Sequence, residues 1–111
     1  MDFKIVNDIL IKNTDKNRLS RGTSYYKDGY VEEVKYTNED KILTIEGRVA
    51  SKFQNHVYNS SLIIDLENKK ILSGTCGCKD CTERSTSGHI AICKHIVAIT
   101  MYIINLLKSD V

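Results

Sequence analysis

The 111-residue sequence predicts an α+β fold with two N-terminal helices, a four-stranded antiparallel meander and a C-terminal helix. Three observations predict this order. Apolar residues recur at helical spacing within 1–30, apolar and polar residues alternate over much of 31–75, and a long apolar segment follows near the C-terminus. Hydrophobic residues make up 41% of the chain and charged residues 27%, a composition typical of a globular protein. Because the length suits one domain, we expect a single domain over 1–111.

Two helices are predicted in the first thirty residues. The first covers Asp2–Ile11, with Asp2 as its N-cap candidate. The second covers about Asp15–Lys27, with Asp15 or Asn17 as its N-cap. We expect the second helix to end near Asp28-Gly29, because glycine readily adopts the left-handed conformation that follows many helices. Residues 1–30 therefore form a helical lead-in.

The strands are predicted where the period of the sequence changes to two residues. The third strand has the clearest alternation, and one of its faces carries Tyr58, Ser60, Leu62, Ile64 and Leu66. Residues 38–40 and 67–68 have the composition of turns, so consecutive strands are expected to pair as hairpins. The four predicted strands cover 31–37, 41–49, 56–66 and 69–75.

The last predicted helix covers 93–108 and is apolar around nearly its whole circumference. One sheet covers only one side of such a helix. Two interpretations stand equally: a buried central helix, or a face that docks against another domain or subunit. The run Ile96–Leu107 is 12 residues long and includes Thr100 and Asn105, so it is too short for the roughly 18 to 20 residues of a membrane span.

All four cysteines lie between Cys76 and Cys93. The first ten residues carry no secretion signal, so we expect a cytoplasmic protein whose thiols stay reduced. Clustered cysteines in that compartment are typical of metal sites. Cys76-Gly77-Cys78 and Cys93-Lys94-His95 form two short doublets separated by fourteen residues, which together can supply the four N/S ligands of a structural zinc ion. Cys81 and His89 lie between the doublets and are alternative ligands.

Geometry constrains both doublets. Alternate residues of an extended strand lie too far apart for two sulfurs to share a metal, so the chain must bend, and Gly77 is the residue that allows this. Residues two apart in a helix point about 200° apart. We therefore expect Cys93 at or just before the start of the last helix, with His95 in its first turn.

The cysteines have two other interpretations, which the sequence disfavours. Inert buried thiols are disfavoured because Cys76–Cys81 is polar and lacks apolar periodicity. The pair Cys78 and Cys81 has the spacing of a thiol-redox motif, but we expect it to lack the strand-to-helix context of such motifs. The third histidine, His56, lies among strand residues far from the cysteines in sequence, and we expect it at the surface.

The C-x-C, loop, C-x-H pattern resembles the SWIM zinc finger, a module found in bacterial SWI/SNF-family helicases. Residues 21–31, RGTSYYKDGYV, are similar to the "RG..YY..G.V" stretch that precedes the finger in those helicases, so the resemblance spans most of 15–107. It implies one zinc ion on Cys76, Cys78, Cys93 and His95, and a strand-turn-strand-helix finger closed by the last helix. It also implies an accessory domain that helps a helicase motor engage DNA or a protein.

The sequence departs from that family in two respects. Lys79 follows Cys78 where the family commonly has proline, and the loop contains Cys81 and His89. The chain has no G-x-x-x-x-G-K-[ST] phosphate loop, so the helicase motor is absent, and we expect the chain to be either the N-terminal fragment of a longer protein or a stand-alone finger.

The sequence therefore predicts a structural-zinc binding module rather than an enzyme, because four protein ligands leave no position for an activated water. Its partner is DNA or a protein, with no membrane involved. Candidate nucleic-acid contacts are Lys79, Arg84 and Lys94, and Tyr25, Tyr26 and Tyr30 are candidates for base stacking. The net charge of +2 is small and decides nothing. The alternatives are docking or dimerisation through the last helix and, with less support, a thiol-redox protein.

Overall fold

The computed structural model describes residues 3–85 and 90–109, which form an α+β fold with helices on one side of an antiparallel sheet. This confirms the predicted fold class. In chain order the described elements are α1 (Phe3–Asn13), α2 (Lys16–Lys27), β1 (Val31–Glu39), β2 (Ile42–Ala50), β3 (Val57–Asp65), β4 (Lys70–Cys76), α3 (Lys79–Arg84) and α4 (Lys94–Ser109).

The two N-terminal helices follow their local signals. Asp2 lies outside the described residues, and α1 extends to Asn13. Asp15 is the N-cap of α2, and its carboxylate accepts a hydrogen bond from the backbone N–H of Arg18 at 2.9 Å. After the helix, Gly29 has a φ of 82°, the left-handed conformation expected there. The predicted cap and stop of α2 are confirmed.

The sheet has the order β1-β2-β3-β4, with every neighbouring pair antiparallel. The first turn lies later than expected, since Asn38 and Glu39 continue β1 and the reversal is made by Asp40 and Lys41. These two residues have φ values of 51° and 64°, as a type I′ turn requires, and its twist matches that of the flanking strands. Lys69, with a φ of 55°, has the same left-handed conformation in the turn between β3 and β4.

The core lies between the inner face of the sheet and α4. Alternate residues of β2 and β3 are buried, including Ser60, Leu62 and Ile64 of the predicted inner face. α1 and α2 cover the side of α4 that faces away from the sheet. Most of α4 is therefore buried within the chain, which supports the interpretation as a central helix. Tyr102 and Leu106 remain 38% and 39% exposed.

The close packing of α2 on α4 depends on a glycine. A Cβ atom on Gly22 would lie 2.4 Å from the Cβ of Val97 and 2.6 Å from the carbonyl oxygen of Lys94. Only a residue without a side chain permits this approach. The packing of this chain therefore explains why the RG..YY stretch has a glycine at position 22.

One element was missed. The segment after Cys78 was expected to continue as a turn and strand of the finger, but it forms the short helix α3. Cys78 is its N-cap and Asp80 lies in its first turn, where a carboxylate is favoured by the helix dipole. A six-residue helix has too little periodicity to be recognised from the sequence. Among the described residues, no helix is long and apolar enough to span a membrane.

Candidate metal centre

Four side chains from three parts of the fold meet at one point. Cys76 ends β4, Cys78 caps α3, Cys93 immediately precedes α4, and His95 lies in the first turn of α4. One ligand atom from each lies within 4.8 Å of the other three, and all four residues are buried. The predicted ligand set is thus brought together in space and can hold one metal ion.

The bend between the first two cysteines does not arise as expected. Gly77 is not among the residues with positive φ, and a Cβ atom on it would meet nothing within 4 Å. A side chain is therefore tolerated at this position. The change of direction comes from the end of β4 and the immediate start of α3, where Cys78 has the extended conformation of an N-cap.

The second doublet has the expected geometry. Cys93 immediately precedes the first residue of α4, so its side chain need not point 200° away from that of His95. The Cys93 carbonyl accepts the first hydrogen bond of the helix, from the Val97 N–H. The Nδ1 atom of His95 lies 3.7 Å from the Cys76 sulfur and 3.9 Å from the Cys93 sulfur. Nδ1 is therefore the ring atom that faces the thiols.

Two tyrosine rings hold the imidazole of His95 in this orientation. Tyr58 stacks on it with a centroid distance of 4.6 Å and an interplanar angle of 31°, and Tyr25 meets it nearly perpendicularly at 5.3 Å. The Nε2 atom is buried and has no hydrogen-bond partner among the described residues. On the side of the ring away from the thiols, packing against tyrosines takes the place of the hydrogen bond to a carboxylate or carbonyl that many metal-bound histidines make.

The thiols influence one another strongly. Hydrogen bonds from Cys78 and Cys93 lower the pKa of Cys76 to about 3, and the hydroxyl of Ser60 donates to the same sulfur at 3.3 Å. The hydrogen bonds that Cys93 shares with its neighbours, Cys76 foremost, together with burial, raise the pKa of Cys93. Only part of the cluster can be thiolate without a counter-charge, and a bound cation removes this conflict because metal ligation deprotonates thiols.

Cys81 lies beside the cluster but is not one of the four converging ligands. Its thiol lies 3.6 Å from the carbonyl oxygen of Ala91, to which it donates, and only 2% of the residue is exposed. A hydrogen bond with Cys93 lowers its pKa to about 7. The other alternative ligand, His89, lies outside the described residues.

The expectation that Cys78 and Cys81 lack a strand-to-helix context is wrong. β4 leads within two residues into α3, with Cys78 at the N-cap and Cys81 in the first turn. Cys78 nevertheless belongs to the four-residue cluster, and its sulfur accepts a hydrogen bond from the Cys81 N–H at 3.4 Å. The Cys78 sulfur thus lies with the ligand atoms of Cys76, Cys93 and His95, as a metal ligand would.

An ion-pair network connects α3 to α2. Arg18 donates two hydrogen bonds to the Asp80 carboxylate, at 2.8 and 2.7 Å, and Arg84 donates to the same carboxylate at 2.9 Å. The hydrogen bonds from Arg18, more than those from Arg84, lower the pKa of Asp80 to about 2. The i, i+4 spacing of Asp80 and Arg84 could have indicated their pairing from sequence, but nothing local points to Arg18.

The predicted nucleic-acid contacts occupy different environments. The guanidinium of Arg84 is bound to Asp80 and to the Ile92 carbonyl oxygen. Lys79 is exposed at the start of α3, and Lys94 lies over the Tyr25 ring at 5.5 Å from its centroid.

The three tyrosines that were candidates for base stacking do not form one surface, since Tyr25 is buried against His95 and Tyr26 packs against Tyr102. His56 is exposed, as expected.

No protein-family model matches this chain, and neither a curated protein nor a solved structure matches it.

Proposed function

We propose that the chain is a binding module whose fold is stabilised by one structural zinc ion and which engages nucleic acid. The observation that carries the first half is the meeting of Cys76, Cys78, Cys93 and His95 in a buried cluster. Three sulfurs and one imidazole nitrogen are a typical structural zinc set, whereas magnesium and calcium require oxygen ligands.

The distances within the cluster fit this metal. Bond lengths of about 2.3 Å to sulfur and 2.0 to 2.1 Å to nitrogen place sulfur and nitrogen ligands about 3.5 Å apart in a tetrahedron. The Nδ1 atom of His95 lies 3.7 and 3.9 Å from two of the sulfurs. Small side-chain movements are therefore sufficient for ligation. When bound, zinc supplies a cross-link between β4, α3 and α4.

The four ligands argue for a structural role. With every position of a tetrahedral ion taken by protein, no water is available for activation. The ion would contribute folding free energy, on the order of 10 kcal/mol in small zinc modules. We therefore infer a binding module without catalytic activity of its own.

Nucleic acid is the partner that the charged surface beside the cluster favours. Lys79 and Lys94 flank the ligands Cys78 and Cys93 in sequence and line one cleft. Two lysines in one cleft can neutralise the phosphates of a nucleic acid strand. The resemblance to SWIM fingers supports DNA as that partner and an accessory role beside a SWI/SNF-type helicase motor. That role is part of the same proposal.

A second candidate function is protein docking or dimerisation through the outer side of α4. Tyr102 and Leu106 are more than a third exposed, and with Tyr26 they line a shallow depression. This strip is the part of the predicted docking face that the chain itself leaves uncovered. Sedimentation at increasing protein concentration tests it, because a dimer on this face would respond to Leu106→Lys.

The zinc half of the proposal is tested by elemental analysis of purified protein. We expect one zinc per chain, with loss of that metal in Cys93→Ala. The matched control is Cys81→Ala, which removes a neighbouring buried thiol outside the ligand set and is expected to retain the metal. Loss of zinc from the control, or its retention in Cys93→Ala, would contradict the ligand assignment.

The nucleic-acid half of the proposal is tested by titration of labelled DNA at several salt concentrations, where binding through phosphates must weaken as salt rises.

A further inference from the structure

A cleft of about 410 Å³ opens directly beside the metal centre. The loop 51–56, which joins β2 to β3, forms one wall, and the first turns of α3 and α4 form the other. Two of the ligand residues, Cys78 and His95, belong to its lining. A molecule in this cleft would therefore touch the part of the fold that the metal orders.

An exposed aromatic ring stands at the cleft. Phe53 is 88% exposed, more than any other large hydrophobic residue in the part of the chain that the structure describes. Tyr58 lines the same cleft, with its ring tilted on His95 at a centroid distance of 4.6 Å and in an edge-to-face contact with His56 at 4.5 Å. An exposed aromatic ring is a stacking platform, and Phe53 would gain free energy when a flat partner covers it.

The loop that carries Phe53 is held in place by its neighbour. The ammonium group of Lys52 donates hydrogen bonds to Ser24 at 2.7 Å and to Asp28 at 3.0 Å, and it lies 4.8 Å from the Tyr25 ring centroid. The backbone N–H of Lys52 donates to the Tyr25 hydroxyl at 3.3 Å. The base of the loop is thus fixed on α2, and Phe53 is presented without a large loss of loop entropy on binding.

The charges of the cleft leave two lysines available for an anion. The carboxylate of Asp80 is already bound by two arginines, and Lys79 shares only a long 3.8 Å contact with Glu83, with 85% of the Lys79 side chain exposed. Exposed pairs of this kind contribute little and are readily exchanged. Lys94, above the Tyr25 ring, is the second cation.

We propose that this cleft binds unpaired nucleotides of a nucleic acid strand, with a base stacked on Phe53 and phosphates on Lys79 and Lys94. This inference rests on the proposed function and assigns it a surface and a class of partner. A duplex is disfavoured because its bases are stacked on one another and cannot cover the ring. Phenylalanine reads neither base identity nor the sugar, so single-stranded DNA and RNA share the chemistry.

The test is fluorescence anisotropy of zinc-loaded protein with labelled oligothymidylate and oligouridylate of about 15 nucleotides and a duplex of equal length. We expect both single strands to bind at least about tenfold more tightly than the duplex. Phe53→Ala should weaken single-strand binding about tenfold, as expected for the loss of one stacked base. Its control is Leu72→Ala, which removes an apolar side chain that is 50% exposed on β4.

The lysines have an equally close control. Lys79→Ala should weaken binding and reduce the slope of log affinity against log salt by about 0.7, the value for one phosphate contact on a single strand. Lys35→Ala should leave both unchanged. Lys35 is 77% exposed, forms a similar 3.7 Å contact with Glu33, and lies away from this cleft on β1.

The outcomes separate the two levels of the proposal. Tighter binding of the duplex, or wild-type affinity in Phe53→Ala and Lys79→Ala, would overturn the cleft assignment and leave the nucleic-acid partner standing. Absence of binding to all three probes at low salt, with one zinc per chain confirmed, would overturn both and favour protein docking. Zinc content and circular dichroism of each variant confirm that it is folded.

Discussion

Two regions of α4, its first turn and its middle, are covered in different ways. The first turn carries His95, which lies close to Cys76, Cys78 and Cys93, and these four donor atoms could share one ion. The middle of the helix is enclosed by the sheet, α1 and α2, with side chains such as Ile99 and Ile103 fully buried. With a metal bound, the first turn would depend on ligation, which fails when one donor is lost, whereas the middle of the helix depends on packing, which changes by degrees with volume.

The largest effect expected from this difference is that of metal removal. Chelation, or Cys93→Ala, should lower the free energy of unfolding by several kcal/mol, because structural zinc contributes up to about 10 kcal/mol in small modules. Hydrogen exchange should show loss of protection first in α3 and the first turn of α4, with β2 and β3 protected longer. Equal loss in both regions would mean that the packed core also depends on the metal.

The next largest effect concerns the packing of α2 on α4. Gly22→Ala should lower stability by about 3 kcal/mol, since a Cβ atom would lie 2.4 Å from Val97 and force α2 away from α4. Thermal or denaturant unfolding measures this change. Gly77→Ala, beside the metal centre, is the control, because its Cβ would meet nothing within 4 Å. A destabilisation in Gly77→Ala as large as that in Gly22→Ala would contradict this account of the two glycines.

A smaller effect is expected where the two regions are joined. Arg18 and Asp80 connect α2 to α3, and a double-mutant cycle with Arg18→Met and Asp80→Asn should give a coupling free energy of about 1 kcal/mol, because both side chains are partly exposed. A coupling near zero would mean that this ion pair does not help to hold α3 on α2.

The same pair has a defined pH dependence. Because the folded state lowers the pKa of Asp80 to about 2, the stability it contributes is present above its ordinary pKa near 4 and is lost as pH falls toward 2. The wild-type protein should lose its advantage over Asp80→Asn in this window, as measured by unfolding at matched zinc occupancy. An advantage that is independent of pH there would contradict the assignment.

The smallest effect is expected on the exposed strip of α4. Leu106→Ala should change the free energy of unfolding by less than about 0.5 kcal/mol, since this side chain lies outside the core. Ile103→Ala, on the buried side of the same helix, should cost about 2 to 5 kcal/mol. A large effect of Leu106→Ala that grows with protein concentration would instead indicate a dimer on this strip.

Local patterns accounted for most of the fold. The cap at Asp15, the stop at Gly29 and the four alternating strands depend on signals within a few residues, and they appear close to where they were expected. The helix α3 was missed because its boundary is set by the thiol of an N-cap cysteine, a residue type with weak capping preference. The bend assigned to Gly77 was wrong for the same reason, since α3 supplies the change of direction.

The sequence by itself determined which residues can ligate a metal, because three cysteines and a histidine in two short doublets are recognisable from type and spacing alone. The tertiary structure decided which of the thiols converge, which histidine nitrogen faces them and which basic side chains remain available. Cys81 and Arg84 were candidates in the sequence, yet one thiol lies beside the cluster and the guanidinium is bound to Asp80. These outcomes depend on contacts between residues far apart in the chain, such as Arg18 with Asp80, and such contacts exist only once helices and sheet have packed.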